Sequence, residues 1–261
     1  MEGMRKIIVV GIGAGDPDHI TIQAVNALRR VDVFFVLDKG EVKQELVDLR
    51  QEILNRYVPD HRVVHGRDPE RDRTAEAYVE AVDDWRRRRA DVCQEMICAN
   101  LPDGQTGAFL VWGDPTLYDS TLAILDDIAE RGFEFETEVI PGISSVSALV
   151  ARHRVPLNQV GRPVQITTGR RLAGEWPSDV DDVVVMLDAR TAFTNHVDKD
   201  AEIYWGAYIG TPDEILISGR LSEVADQIAA ARTEARERKG WIMDTYLLRR
   251  SQDAPPPRGT S

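Results

Sequence analysis

Short apolar runs alternate along this chain with segments in which apolar residues recur every three or four positions. A run of four to eight residues rich in Val, Ile and Phe fits a buried strand, whereas recurrence at three and four fits one face of a helix. This pattern predicts strands at residues 6–11, 33–37, 62–65, 107–112 and 137–140, and a second series at 164–168, 183–187, 203–208, 215–218 and 241–248. Helices are predicted where Ile22, Val25 and Leu28 form one stripe, with Thr21 as N-cap, and where Ala75, Tyr78, Val79, Val82 and Trp85 form another. Val92, Cys93, Met96 and Ile97 continue the second stripe, and further helices fall at 122–128, 146–150 and 224–228. Strands alternating with helices predict an α/β protein with a largely parallel sheet.

A chain of 261 residues suits two domains. Pro156, Asn158, Gly161 and Pro163 fall close together between periodic blocks, the composition of a linker. The boundary is placed near Asn158, giving an N-terminal α/β domain over 1–158 and a C-terminal one over 159–250. Residues 251–261 hold three consecutive prolines and almost no apolar side chain, and are expected to form a disordered tail.

Composition narrows the function classes. The longest apolar runs, at 7–10 and 33–37, fall far short of the about 20 residues a membrane span needs. No apolar signal region follows the N-terminus, so a cytoplasmic location without a membrane partner is expected. A net charge of −12 argues against nucleic acid as a partner, because that needs a basic face. The arginine run at 86–89 is read as a solvated helix face. Cys93 and Cys98 fit neither a disulfide framework nor a metal-ligand spacing and are expected to be buried thiols. His19, His61, His65, His153 and His196 form no ligand motif, so no metal is expected.

Candidate chemistry begins where the first strand ends, at Gly11, Gly13 and Gly15 followed by Asp16 and Pro17. Glycines after a strand let backbone approach a ligand closely. A dinucleotide fingerprint would need its third glycine three positions after the second, with a helix opening at once under a pyrophosphate. Here an acid and a proline intervene, which disfavours an NAD-binding Rossmann protein, although Asp38 at the end of the next strand would suit one.

Further along stand Trp112-Gly113-Asp114-Pro115-Thr116-Leu117-Tyr118 and Ile140-Pro141-Gly142-Ile143-Ser144-Ser145, each behind a predicted strand. With the glycine loop these motifs resemble the tetrapyrrole methylases, whose hallmarks are V-G-x-G-x-G-D, G-D-P-x-x-Y and I/V-P-G-I-[ST]-[AS] in this order. The likeness runs from Arg5 to about Arg249; Ala14 departs from it, since most members carry proline there. It implies two α/β domains with S-adenosylmethionine in the cleft between them, S-adenosylhomocysteine as product, and a homodimer. Carried over residue by residue, it implies cofactor contacts at Ala14, Trp112, Gly113, Asp114, Leu117, Ser144, Ser145, Met186, Leu187 and Gly210. Met186 and Leu187 are alternates in register.

Local features around Phe34, Asp38, Leu157, Gly169 and Trp205 resemble the branch that acts on precorrin-5, methylating C-1 and releasing the acetyl group as acetate. Methyl transfer chiefly needs positioning, whereas acetyl loss also needs a proton acceptor and oxyanion stabilisation. The resemblance points to Asp38 as the acid/base, with Asp16 and Tyr118 next; the residues alone leave open whether Asp38 only closes a turn. Arg170 and Arg171 are the expected grip on substrate carboxylates, with Arg152, Arg154 and Arg162 as secondary candidates. Two other readings stay open: a tetrapyrrole methylase acting at a different ring carbon, and a binding protein that keeps the fold without turnover.

Overall fold

The computed structural model describes residues 3–38, 44–70, 78–177 and 179–251, and the chain divides into two compact units at Ser144 and Ser145. The first unit runs β1 (Lys6–Gly11), α1 (Ile22–Leu28), β2 (Val33–Asp38), α2 (Gln44–Tyr57), β3 (Val63–Arg67), α3 (Tyr78–Asn100), β4 (Thr106–Val111), α4 (Thr121–Glu130) and β5 (Glu136–Ile140). Its sheet is parallel throughout, in the order β3-β2-β4-β1-β5. Side chains alternate along each strand. In β1, Ile7 and Val9 therefore face α3 and α4, while Ile8 and Val10 face α1 and α2, and all four are fully buried. Both faces being covered explains why the strands read as unbroken apolar runs.

Thr21 caps α1 as predicted, its hydroxyl accepting the Ala24 N–H at 3.0 Å. The buried face of α1 differs from the predicted stripe: Ala24, Ala27 and Leu28 go inward, and Ile22 is 80% exposed. Small alanines bring the helix close to the sheet, and that rotates Ile22 outward. α2 is absent from the helices predicted above, although Leu49, Ile53 and Leu54 give it a short apolar stripe, because charged and amide residues fill the rest. α3 carries the predicted second stripe, except that Ala75 lies outside the described residues. Cys93 is buried, which pushes its thiol up to about 12, whereas Cys98 is exposed, contrary to expectation.

The second unit runs α5 (Ser145–His153), β6 (Val164–Thr168), α6 (Gly169–Leu172), β7 (Asp182–Met186), β8 (Ala201–Ala207), β9 (Ile215–Arg220), α7 (Leu221–Lys239) and β10 (Asp244–Arg250). Its sheet, in the order β6-β7-β10-β8-β9, is parallel only between β6 and β7. The expectation of largely parallel sheet therefore holds for the first unit and not for the second. Hairpin-length connections such as that between β8 and β9 force antiparallel pairing. The unit begins at α5, which packs on β8, β9 and β10, ahead of the division placed near Asn158. The stretch read as a linker is pinned inside this unit: fully buried Asp182 accepts from Arg249 Nε at 2.5 Å and from the Gln159 N–H at 3.1 Å, and Arg249 also donates to the Pro156 carbonyl at 2.9 Å. The segment expected as a tail lies outside the described residues beyond Ser251. Among the described residues no helix is long and apolar enough to cross a membrane.

Leu28→Ala should cost about 2–5 kcal/mol, because it empties a fully buried site. Ile22→Ala should stay within about 0.5 kcal/mol. Denaturant midpoints of the two variants check this reading of α1.

Candidate active site

β4, β1 and β5 are neighbours, so the segments leaving their carboxyl ends lie side by side. These are the three segments that carry the glycine motifs. Gly13 and Gly113 form an antiparallel bridge, with Gly113 N–H donating to Gly13 O at 2.7 Å and Gly13 N–H to Gly113 O at 3.3 Å. A Cβ on Gly11 would stand 2.5 Å from the Gly142 nitrogen, and one on Gly142 would stand 2.2 Å from the Gly113 oxygen. Gly13 and Gly113 also have φ of 88° and 73°, a region that L side chains enter only with strain. Chain contact at this range admits no side chain, which is the physical content of the motif spacing.

Asp114 ties the contact together. Its Oδ2 accepts the Gly142 N–H at 2.9 Å, and its Oδ1 accepts the Thr116 N–H at 2.8 Å and the Thr116 hydroxyl at 2.5 Å. Burial disfavours the charged form, but the Thr116 hydroxyl and the Gly142 and Thr116 amides outweigh it and hold the carboxyl below the usual carboxylate range. Asp114 is thus an ionised anchor between two motif segments. Nearby, Leu117 N–H closes a turn on Asp114 O at 3.2 Å, Ala14 is buried, and Tyr118 is held at φ 53° with 45% exposure. The Trp112 indole N–H is buried with no partner among the described residues, a cost native structures seldom carry away from functional sites.

In the second unit, Ser145 Oγ lies 3.4 Å from Thr245 Oγ1, and Thr245 pairs with Met186 across β10 and β7, so Ser145 and Met186 come together. Leu187 follows with φ 54° and 65% exposure, a strained and outward-facing apolar residue. Gly210, at φ 81°, donates its N–H to Glu214 at 2.8 Å. Arg170 and Arg171 are exposed on α6. Of the secondary cations, Arg152 pairs with Glu214 and Arg162 with Asp181, while Arg154 is exposed with φ 58°.

The sequence reading missed the residue that holds this loop. Asp188 is 5% exposed; its carboxylate accepts the Arg190 N–H at 2.9 Å, the Ala192 N–H at 2.6 Å and the Tyr246 hydroxyl at 2.7 Å, and its carbonyl accepts from Arg232 at 2.6 Å. Burial, with the Asp188 charge beside it, pushes the Tyr246 phenol well up, so it stays a donor. Gly169 fits against Asp188, because a Cβ there would come within 2.4 Å of its carboxyl carbon. Asp188 therefore fixes both Leu187 and the start of the helix that bears Arg170 and Arg171. An acid directly behind an apolar strand was the available signal.

Among the predicted acid/base residues, Asp38 is the exposed last residue of β2, and its carbonyl accepts the Asp68 N–H at 3.0 Å; Lys39 and Gly40 lie outside the described residues. Asp16 has a structural task, since its side chain accepts the Asp18 N–H at 2.9 Å and caps the short turn Pro17–His19. The arginine run is only partly a solvated face: Arg89 is buried, 2.9 Å from Asp68 as an ion pair off hydrogen-bond angle, and donates to Ser120 at 2.6 Å. It thereby steadies the segment behind β3, beside Asp38. His61, His153 and His196 bond to the carbonyls of Val58, Trp205 and Leu172.

Residues 6–225 match the family model of the Tetrapyrrole (Corrin/Porphyrin) Methylases. A precorrin-6A synthase (deacetylating) from Sinorhizobium sp is 51% identical over 254 residues, covering 96% of this chain and 97% of its own length. The crystal structure of a cobalamin synthesis related protein (CobF) from Corynebacterium diphtheriae is 37% identical with a TM-score of 0.82, covering 96% of this chain and all of that one. A uroporphyrin-III C-methyltransferase from Thermus thermophilus, solved with S-adenosylhomocysteine, shares the fold at a TM-score of 0.56 and 18% identity, covering 93% of this chain and 91% of that one. The chain belongs to the tetrapyrrole methylases. It is a methyltransferase of the cobalamin-forming branch of that family.

Asp114→Ala should cost about 1–3 kcal/mol at neutral pH, since it leaves the Gly142 and Thr116 donors without their acceptor. A depressed folded-state pKa stabilises above the ordinary aspartate value, and that stability is lost as pH falls through the folded value. The gap between wild type and variant should therefore narrow below about pH 4. Urea titrations at several pH values check both the size and the direction.

Proposed function

We propose that this chain is a precorrin-6A synthase (deacetylating), which methylates precorrin-5 at C-1 and removes its acetyl group as acetate, with S-adenosylmethionine as methyl donor. Near-full-length identity to the Sinorhizobium enzyme carries the reading. A family member acting at a different ring carbon would share the glycine contacts and differ in what surrounds them. A Rossmann reading is disfavoured by the spacing of the glycines and by Asp16, which caps a turn where a pyrophosphate would sit.

The residues present suit the proposed cofactor. Asp114 is an ionised carboxylate at the glycine contact, which favours a cationic ligand, and S-adenosylmethionine carries a sulfonium and an ammonium. When bound, it supplies an electrophilic methyl group. Gly113, Trp112, Leu117 and Ala14 in the first unit, and Ser144, Ser145, Met186, Leu187 and Gly210 along the chain beyond, are proposed to bind and orient it. Positioning of this kind contributes up to about 7–11 kcal/mol of barrier reduction.

The second half of the reaction is hydrolytic. Water adds to the acetyl carbonyl, the bond to C-1 breaks with its electron pair passing into the macrocycle, and acetate leaves. Asp38 is proposed to take the water proton, with Tyr118 as a donor for the developing oxyanion; Asp16 falls behind both because its carboxylate is already used in a turn. Arg170 and Arg171 are proposed to meet substrate carboxylates. With this reading go a cytoplasmic location and a homodimer, the latter checked by sedimentation.

S-adenosylhomocysteine at a hundredfold excess over its Kd should stabilise the protein by about 2.7 kcal/mol. That corresponds to a Tm rise of roughly 5–10 °C, with none from NAD. Incubation with methyl-labelled S-adenosylmethionine and precorrin-5 should give labelled pigment and one acetate per turnover. Labelled pigment without acetate would point to another ring carbon. Asp38→Asn should keep cofactor affinity and lower acetate release about 10²–10⁴-fold; wild-type turnover across the working pH range would make Asp38 a turn residue only.

A further inference from the structure

Arg50 enters the first unit from α2 immediately after Leu49, whose side chain is buried with Ile53 and Leu54 against the sheet. Its Nε donates to the carbonyl of Leu110, near the end of β4, at 2.9 Å. The topology gives that carbonyl a special place. β2 and β4 are neighbours, yet the chain leaves β2 toward β3 on one side and leaves β4 toward β5 on the other. Connections that depart in opposite directions open a crevice at the carboxyl ends of the two strands, where open α/β sheets hold ligands.

The register shows the crevice directly. Pairing between β2 and β4 stops at Phe35 with Phe109, while β2 continues to Asp38 along β3 and β4 continues to Val111 along β1. Val111 O accepts the Ile12 N–H at 2.9 Å and so points to β1. Alternation turns Leu110 O the other way, toward β2, past the end of their ladder. Arg50 reaches it there, which sets the guanidinium in the gap. Asp38 shares the sheet face of Phe34, the face that α2 covers, so acid and cation belong to the same side of the sheet at the same end.

We propose that Arg50 receives a carboxylate of the tetrapyrrole substrate in the crevice between β2 and β4, setting the reacting edge of the macrocycle over Asp38. The inference rests on the reading of the substrate as a precorrin. Burial pulls Arg50 down to about 10 against the attraction of Asp119, so its charge is held in a dry place where an arriving carboxylate gains most. Its fork geometry suits bidentate carboxylate binding with the terminal nitrogens while Nε keeps Leu110. Arg170 and Arg171, exposed on α6, have no comparable desolvation and would serve as outer contacts.

The test compares wild type with Arg50→Gln and Arg50→Lys. Three quantities are measured: KM and kcat with precorrin-5, calorimetric affinity for S-adenosylhomocysteine, and affinity for uroporphyrin III, an unreactive octacarboxylate, by tryptophan quenching. Arg50→Gln should raise KM and weaken uroporphyrin binding by about 10- to 100-fold, with S-adenosylhomocysteine affinity unchanged. Arg50→Lys should fall between, because it keeps the charge and loses the fork. The octamethyl ester of uroporphyrin should not distinguish the three proteins. Wild-type KM and uroporphyrin affinity in a folded Arg50→Gln would overturn the proposal, as would a parallel fall in S-adenosylhomocysteine affinity. If Arg50→Gln does not fold, Arg50→Lys decides on the same criteria. Arg50-dependent uroporphyrin binding without turnover of precorrin-5 would support the crevice and overturn the reaction assigned above.

Discussion

Three backbone segments meet at the carboxyl edge of the first sheet because Gly11, Gly113 and Gly142 leave them nothing to collide with. β4, β1 and β5 stand next to one another, so their exits are forced into about the width of two strand spacings. Only glycine lets the chains close to hydrogen-bond range there, and the Gly13–Gly113 bridge and the Asp114 bond to Gly142 then fix them. Conformational entropy favours the opposite, since glycine loses the most freedom on folding. The sheet beneath, buried on both faces, offsets that loss. What results is a rigid backbone surface bearing one ionised carboxylate, at the end of the sheet where α/β proteins bind ligands.

The second unit reaches a similar end by different means. Its sheet is mostly antiparallel, and its loop after β7 is fixed by a side chain instead of glycine packing. Asp188 collects donors from Arg190, Ala192 and Tyr246, and its main chain takes Arg232, which in turn bonds buried Asp244 at 2.9 Å. Burial pushes Asp244 up against the opposing pull of Arg232, so this network is held by complete hydrogen bonding more than by charge. Leu187 can remain left-handed and exposed because the residue after it cannot move.

Each of the ten strands was legible from apolar runs, because burial on one or both faces leaves a strong compositional trace. The glycine motifs were legible as motifs, but their mutual contact was not, since it depends on strand order and not on chain order. The Ile22 stripe misled because helix rotation is set by how closely Ala24 and Ala27 approach the sheet. Pro156 and Gly161 suggested a linker, yet a buried Asp182–Arg249 pair far away in sequence anchors that stretch. Arg50 and Asp188 escaped for the same reason: one charged residue in a polar helix, or one acid after a strand, acquires meaning only from a carbonyl or a hydroxyl that topology brings to it.

The central claim is that the three motif segments form one cofactor-binding surface. Amide hydrogen exchange with and without S-adenosylhomocysteine, read by mass spectrometry, tests it most directly. Peptides covering residues 11–16, 112–118 and 141–145 should all gain protection on ligand addition, and NAD should protect none of them. Protection of only one segment, or protection confined to other parts of the chain, would contradict it.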